Sequence, residues 1–178
     1  MTSPERPFDL DAWLSDNSEL LRPPVSNHQF WPESDMIVMV VGGGNRRTDY
    51  HDDPAPEFFH QIRGDMFLRI VDEPGRAPRD VAIREGEIFL LAPHVRHSPQ
   101  RPDPDSVGNV VENSRPAGAP DGFEWYCASC HGLVHRTEVM LGSIVDDLPP
   151  LFEAFYGSED ARRCPTCGTV HPGEVAAG

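Results

Sequence analysis

The alternation of apolar and polar residues divides the chain into a short helical start and a long series of strands. Between Asp9 and Leu21 the apolar side chains recur near the spacing of a helical face, which predicts an amino-terminal helix packed on the body of the protein. From Met36 to about Arg115 the pattern changes to short apolar or alternating runs separated by turn residues. The clearest predicted strands are residues 36–41, 57–63, 66–71, 87–91 and 108–112.

Short strands at this spacing are typical of an antiparallel sandwich or barrel. We predict an all-β protein in which residues 1–118 form the barrel with its amino-terminal helix. Residues 119–178 are predicted to be a carboxy-terminal extension packed on the same domain, with strands at 123–126 and 133–141 and a short helix at 151–156. A chain of 178 residues, 38% of them apolar, has enough apolar side chains for one such core.

Charge excludes several classes of function. The formal net charge is −14, which argues against nucleic acid or an anionic membrane as a partner. All 15 cationic side chains are arginines, so Schiff-base chemistry and a phosphate-loop lysine are excluded. The first residues lack the pattern of a secretory signal, and no run approaches the roughly 20 apolar residues of a membrane span. We therefore expect a cytoplasmic protein that acts on a small molecule.

Four cysteines form two Cys-x-x-Cys pairs, Cys127 with Cys130 and Cys164 with Cys167. In a reducing compartment, paired knuckles predict a tetrahedral four-sulfur metal site rather than disulfides. The second pair, which Gly168 follows, resembles a rubredoxin or zinc-ribbon knuckle, so iron and zinc both stay open as the metal. Four thiolates leave no coordination position for a substrate. We therefore interpret the site as a structural metal site that stabilises a carboxy-terminal extension with little hydrophobic core of its own.

A second candidate metal site lies in the barrel segment. His51, Asp53, Glu57 and the later glycine resemble the first cupin motif, which reads His-x-His, three or four residues, Glu, six residues, Gly; Asp53 stands in place of the second histidine. The segment that ends in His97 resembles the second cupin motif. This resemblance implies a double-stranded β-helix (jelly-roll) barrel in which His51, Glu57 and His97 bind a metal.

Three protein ligands on one side of a metal leave coordination positions free for substrate and dioxygen, which is typical of non-haem Fe(II) oxygenases. Zinc or manganese with the same ligands is chemically reasonable as well. Taken alone, His51 or His97 could instead be a core residue whose ring is hydrogen-bonded. Because all three residues fall in register with the two motifs, we favour the metal site.

Strand parity indicates which neighbours share the site. Side chains four residues apart on a strand point to the same face, so Arg47 is expected to face inward with His51, and Arg101 with His97. Glu112 has the parity of an inward residue on a later apolar strand, where a carboxylate is costly unless it meets an arginine or a ligand. Two arginines and an acid near a metal suit a small anionic substrate that chelates the metal. The alternative for the arginines is simple solvation at the surface.

Longer segments are similar to the 3-hydroxyanthranilate 3,4-dioxygenases of bacteria. The segments that carry this similarity are RTDYHDDP at 47–54, EFF at 57–59, PHVRHSPQRP at 93–102 and DGFEWYC at 121–127. The similarity extends from about Phe8 to Gly173, which is nearly the whole chain. It is far more specific than the two cupin motifs.

Membership of this family implies a reaction and a set of residues. The family cleaves 3-hydroxyanthranilate with dioxygen at the extradiol position and forms 2-amino-3-carboxymuconate 6-semialdehyde, which closes to quinolinate, a precursor of NAD in the kynurenine pathway. The resemblance places the catalytic Fe(II) at His51, Glu57 and His97. It places Arg47, Glu57, Arg101 and Glu112 against the substrate, the arginines on its carboxylate and Glu112 on its hydroxyl or amino group. It also implies a homodimer and a rubredoxin-like iron at the cysteines.

Two other functions are compatible with the residues alone. The first is a non-catalytic cupin that senses or stores a small aromatic acid and uses the metal as an anchor. The second is an electron-transfer module built on the four-cysteine site. Turnover of substrate with uptake of dioxygen distinguishes the enzyme from both.

Overall fold

The computed structural model of the protein describes residues 6–22, 26–142 and 144–173. The outer ends of the two predicted segments, 1–5 and 174–178, lie outside this range. Within it the strands are β1 (Asn27–Phe30), β2 (Met36–Gly42), β3 (Asp49–Asp52), β4 (Glu57–Arg63), β5 (Met66–Val71), β6 (Arg79–Ile83), β7 (Ile88–Leu91), β8 (Arg96–Gln100), β9 (Val107–Asn113), β10 (Asp121–Tyr126) and β11 (Leu133–Val139). The helices are α1 (Leu10–Asp16), a 3-10 turn (Ser18–Leu21), α2 (Ile144–Tyr156) and α3 (Glu159–Arg162).

The strands form two antiparallel sheets that enclose one core. The first sheet has the order β1-β2-β9-β4-β7, and the second has the order β11-β10-β3-β8-β5-β6. Inward side chains of both sheets make a single apolar cluster: Met39, Phe59, Met66, Leu68, Ile70, Ile83, Leu91 and Val110. The predicted all-β barrel is therefore confirmed.

Most predicted strands match the structure closely. β4 and β5 have the predicted bounds, β2 and β7 differ from the prediction by one residue at one end, and β9 is one residue longer at each end. No bounds were predicted for β3 and β8, although strand parity was applied to both, and β1 and β6 were not predicted at all. Both are edge strands whose sequences are largely polar, Asn-His-Gln-Phe and Arg-Asp-Val-Ala-Ile, so they show little of the alternation on which a prediction depends.

The amino-terminal helix is confirmed, and its capping explains where it begins. The side chain of Asp9 accepts a hydrogen bond from the backbone N–H of Ala12 at 3.0 Å, as an N-cap residue does. Leu14 of α1 and Leu21 of the 3-10 turn are buried in one cluster with Phe30 and with residues of β2 and β9. The helix thus covers part of the outer face of the first sheet.

The carboxy-terminal part of the chain extends the second sheet. β10 pairs with β3 on one side and with β11 on the other. α2 lies against β10, and it begins at Ile144 rather than at the predicted residue 151, with Pro149 and Pro150 inside it. No helix of the described residues is both long and apolar enough to cross a membrane.

Candidate metal centre and its surroundings

The three residues of the predicted barrel metal site meet between the two sheets. His51 of β3 is the register partner of His97 of β8, and Glu57 opens β4 in the facing sheet. Glu57 Oε1 lies 2.9 Å from His97 Nε2 and 3.5 Å from His51 Nδ1. All three side chains are buried, and one ligand atom from each lies within 4.8 Å of the other two. This arrangement can hold a metal ion.

Two of the converging atoms have no hydrogen-bond partner. Glu57 Oε1 and His97 Nε2 are buried, and neither makes a hydrogen bond within the described residues. An unsatisfied buried polar atom costs about 1–3 kcal/mol, so two such atoms at one point need a shared partner. A divalent cation is such a partner, because an imidazole nitrogen and a carboxylate oxygen both donate an electron pair to it. The residues therefore fit a metal.

The electrostatics at this point also favour a cation. Burial raises the pKa of Glu57, but the neighbouring His97 and His51 outweigh burial and leave that pKa well below its ordinary value. Burial lowers the pKa of His51, yet the neighbouring carboxylates of Asp121, at 2.8 Å, and Glu57, at 3.5 Å, raise it to about 10. The acids around His51 thus attract positive charge to this place.

Both histidines are held by contacts at the ring nitrogen that faces away from Glu57. His51 Nε2 lies 2.8 Å from Asp121 Oδ1, and His97 Nδ1 donates to the carbonyl oxygen of Val95 at 2.8 Å. The ring of Phe123 stacks on His51 with a centroid distance of 4.9 Å and an interplanar angle of 8°. These contacts fix which nitrogen of each ring points to Glu57.

Arg115 connects three carboxylates around the site. Its guanidinium donates to Asp121 Oδ1 at 2.8 Å and to Glu112 Oε2 at 2.5 Å, and it lies 3.1 Å from Asp53 Oδ2. Because Asp121 in turn contacts His51, Arg115 belongs to the scaffold that orients the residues of the candidate metal site. Its charge also offsets part of the negative charge of the acids.

Glu112 lies where strand parity placed it. It is the register partner of Glu57 across β9 and β4, and it is buried. Burial, and then the charge of Glu57, raise the pKa of Glu112 to about 7 against the pull of Arg115. A buried carboxylate at this position was predicted to need an arginine or a ligand as its partner, and Arg115 is such an arginine.

Arg47 and Arg101 have different surroundings. Arg47 is about one-third exposed, with 32% side-chain exposure, and binds the carboxylate of Asp49 through both Nε, at 3.1 Å, and Nη2. Burial lowers the pKa of Arg47, but the charge and hydrogen bonds of Asp49 more than offset this and raise it. Arg101 is 1% exposed, and no carboxylate of the described residues forms an ion pair with it. Its Nη1 donates to Gln61 Oε1 at 2.5 Å.

The four cysteines also come together. Cys127 Sγ lies 3.5 Å from Cys167 Sγ, and Cys130 Sγ lies 3.6 Å from Cys164 Sγ, with all four thiols free. A tetrahedron with metal–sulfur bonds of about 2.3 Å has edges of about 3.8 Å, so these distances fit a four-sulfur metal site. Hydrogen bonding between Cys167 and Thr169 is the main cause that lowers the pKa of Cys167 to about 6.

Sequence reasoning missed Asp121, Arg115 and Gln61. The predicted strand began at Phe123, so Asp121 fell outside it, whereas β10 begins at Asp121. A signal was present, because Asp121 lies two residues before Phe123 and shares its face of the strand. Gln61 likewise lies four residues after Glu57 on β4 and points to the same side.

The fold and the site define a cupin-type barrel with a candidate metal centre of two histidines and one glutamate. The chain belongs to the 3-hydroxyanthranilic acid dioxygenase family, whose model matches residues 2–156.

Two relatives named for this activity agree with the assignment. The chain is 59% identical over 167 residues to the 3-hydroxyanthranilate 3,4-dioxygenase of Shewanella woodyi, covering 94% of this chain and 87% of the relative. It is 57% identical over 174 residues to the enzyme of that name from Burkholderia cenocepacia, covering 98% and 97%. Among solved structures, a cupin-2 domain protein from Shewanella frigidimarina matches with a TM-score of 0.43 and 15% identity, over 57% of this chain and 92% of that chain.

Proposed function

We propose that this chain cleaves the ring of 3-hydroxyanthranilate with dioxygen and yields 2-amino-3-carboxymuconate 6-semialdehyde. In this reaction the ring bond beside the hydroxyl-bearing carbon breaks, and both atoms of dioxygen enter the product. The observation that carries the proposal is the buried convergence of His51, Glu57 and His97 in a chain 57% to 59% identical to relatives named for this activity. Closure of the product to quinolinate would place the enzyme in NAD biosynthesis.

We assign ferrous iron to the barrel site. His51 Nδ1, Glu57 Oε1 and His97 Nε2 are the atoms that would hold it, since these are the atoms that converge. Iron, when bound there, would lower the pKa of the substrate hydroxyl and hold substrate and dioxygen side by side. The protein contributes the orientation of the ligands through Asp121 and the carbonyl of Val95.

The two arginines are proposed to bind the substrate carboxylate. Arg101 is a buried cation with no acidic partner among the described residues, so a bound carboxylate would supply the charge that it lacks. Arg47 is oriented by Asp49 and keeps part of its guanidinium exposed. A planar guanidinium can contact a carboxylate through two hydrogen bonds and so fix the orientation of the ring.

Glu112 is proposed to exchange a proton with the ring hydroxyl or amine. Arg115 binds Glu112 Oε2, and we assign Oε1 to the proton transfer. With a pKa raised to about 7, this carboxyl can both accept and return a proton near neutral pH. Glu57 would contact the substrate from the opposite strand while binding the metal.

The four cysteines are proposed to hold a second metal, iron as in rubredoxin or zinc. With four thiolates in place, this site would stabilise the extension, residues 119–178, rather than take part in catalysis. β10 would carry that extension on the barrel, residues 1–118, through its pairing with β3. Four free cysteines are consistent with the proposed cytoplasmic location.

A homodimer is proposed from the family resemblance. The exposed apolar side chains of Ile88 and Leu90 on edge strand β7 support it, because apolar side chains of this size at a surface favour association.

The test starts from anaerobic protein loaded with Fe(II), to which 3-hydroxyanthranilate and then air are added. We expect a new near-ultraviolet product absorption and one dioxygen consumed per substrate. His97→Ala should abolish both, whereas the matched control His60→Ala, on the other face of β4, should retain them. Tight substrate binding without dioxygen uptake would contradict the enzyme and support a sensor. Reversible one-electron cycling of the cysteine site alone would support an electron-transfer module.

A further inference from the structure

The guanidinium of Arg101 is held by a neutral group although the chain is rich in acids. The protein has 29 acidic residues, and Arg115 alone contacts three of them. Among the described residues, the guanidinium of Arg101 has one hydrogen-bond partner, the amide oxygen of Gln61, which lies 2.5 Å from Nη1. Burial without an acidic partner lowers the pKa of Arg101 to about 10. A neutral partner at this place is therefore a specific feature of the site.

Gln61 is fixed so that only its oxygen can face Arg101. The side-chain nitrogen of this fully buried residue donates to the carbonyl oxygen of Arg63 at 2.8 Å and to Ser106 Oγ at 2.9 Å. The carbonyl oxygen of Arg63 can only accept a hydrogen bond, so the end of the Gln61 amide that faces it must be the nitrogen. Oε1 is thereby presented to Arg101.

The strand opposite Gln61 leaves room for the guanidinium. Gly108 of β9 is the register partner of Gln61. A Cβ atom at Gly108 would lie 2.3 Å from Arg101 Nη2, which is inside van der Waals contact. The guanidinium therefore lies against the backbone of β9 on one side and against the Gln61 amide on another.

We infer that Gln61 is the positioning residue for Arg101: it holds the guanidinium in place and leaves its positive charge available for the carboxylate of the substrate. An acidic residue would hold Arg101 as firmly but would neutralise it. A neutral amide gives a directed hydrogen bond without competing for the charge. The inference rests on the proposed function, because it takes the carboxylate of 3-hydroxyanthranilate as the ligand of Arg101.

The test compares a ligand with a carboxylate and a ligand without one. In Gln61→Glu, a carboxylate of the same size takes the place of the amide and pairs with Arg101. We expect KM for 3-hydroxyanthranilate to rise about 10- to 100-fold, as for the loss of a hydrogen bond to a charged group, with kcat changed less than about threefold. The inhibition constant of 2-aminophenol, which has no carboxylate, should change less than about twofold. Gln29→Glu, on an exposed part of β1, is the control for added charge and should leave KM unchanged.

Two outcomes would overturn the inference while the proposed function stands. In the first, Gln61→Glu turns over 3-hydroxyanthranilate with the kcat and KM of the wild type. In the second, Gln61→Glu loses affinity for 3-hydroxyanthranilate and for 2-aminophenol to the same extent. An inactive wild-type protein that binds neither ligand would instead reject the proposed function. Where Gln61→Glu does not fold, Gln61→Met serves the same test: it removes the hydrogen bond without adding charge, and KM should rise several-fold for 3-hydroxyanthranilate alone. An unchanged KM in that variant would likewise overturn the inference.

Discussion

The ring of His51 shows how single residues prepare the candidate metal site. Asp121 contacts one of its nitrogens, Phe123 stacks on its face, and the other nitrogen is left to point toward Glu57. Such outer contacts raise the basicity of a ligand and reduce the entropy lost when the metal binds. Residues that never touch the metal should therefore affect its affinity.

Replacing Asp121 with Asn should weaken metal binding at the barrel site by about 10- to 100-fold, because an amide orients His51 without the negative charge. The measurement is competition for Fe(II) against a chelator of known affinity. Asp80→Asn, which removes an exposed ion pair with Arg69, is the matched control and should bind metal normally. Equal affinity in the two variants would contradict a role for Asp121.

Replacing Glu112 with Ala should separate catalysis from metal binding. Glu112 lies beside the proposed metal ligand Glu57 but is assigned to proton transfer, so kcat should fall about 10²- to 10⁴-fold while the iron content stays close to that of the wild type. Metal analysis and steady-state kinetics on the same preparation measure both. Unchanged turnover would refute the role.

At the scale of elements, α2 supports the strand that carries Asp121 and Phe123. Phe155 of α2 is 1% exposed and stacks on Trp125 of β10 with a centroid distance of 4.2 Å. Trp125, Phe123 and Asp121 alternate along one face of β10. The helix therefore packs on the face of the strand that contacts His51.

Phe155→Ala should lower the free energy of unfolding by about 3–5 kcal/mol, as large-to-small changes in a core do. Urea denaturation measures this difference. Leu20→Ala, at an exposed apolar residue of the 3-10 turn, is the control and should cost much less. A loss below about 1 kcal/mol in Phe155→Ala would show that α2 does not support β10.

A strand could be predicted from the sequence to the extent that its own residues alternate between apolar and polar. β4 and β5 alternate buried and less buried residues along their length, and both were predicted at their observed bounds. β6 is mostly exposed at the edge of its sheet, so its pairing with β5 rather than its own pattern makes it a strand. The same applies to the start of β10, which pairing with β11 extends to Asp121.

At the scale of the whole molecule, the site combines residues that are far apart in the sequence. The convergence of His51, Glu57 and His97, and that of the four cysteines, could be predicted because these residues occur in short sequence motifs. The contacts of Asp121 with His51 and of Gln61 with Arg101 span 70 and 40 residues and depend on which strands become neighbours. No local sequence pattern specifies such contacts, because they form only when the folded chain places these strands next to each other.

The two candidate metal sites lie in different parts of the fold and should be separable. Cys127→Ser should lower the metal content from about two to about one per chain and lower thermal stability, since thiolate ligation stabilises the extension. Turnover per barrel metal should be retained. Ser129→Ala, between the first two cysteines, is the control and should keep both metals. An unchanged metal content in Cys127→Ser would contradict the four-cysteine site.

The central claim is that two histidines and one glutamate hold an iron in the barrel. Anomalous diffraction at the iron absorption edge, from crystals of Fe(II)-loaded protein grown without oxygen, tests it most directly. The account predicts an iron peak at bonding distance from His51 Nδ1, Glu57 Oε1 and His97 Nε2. Iron bound elsewhere, with these three side chains turned away from one another, would contradict it.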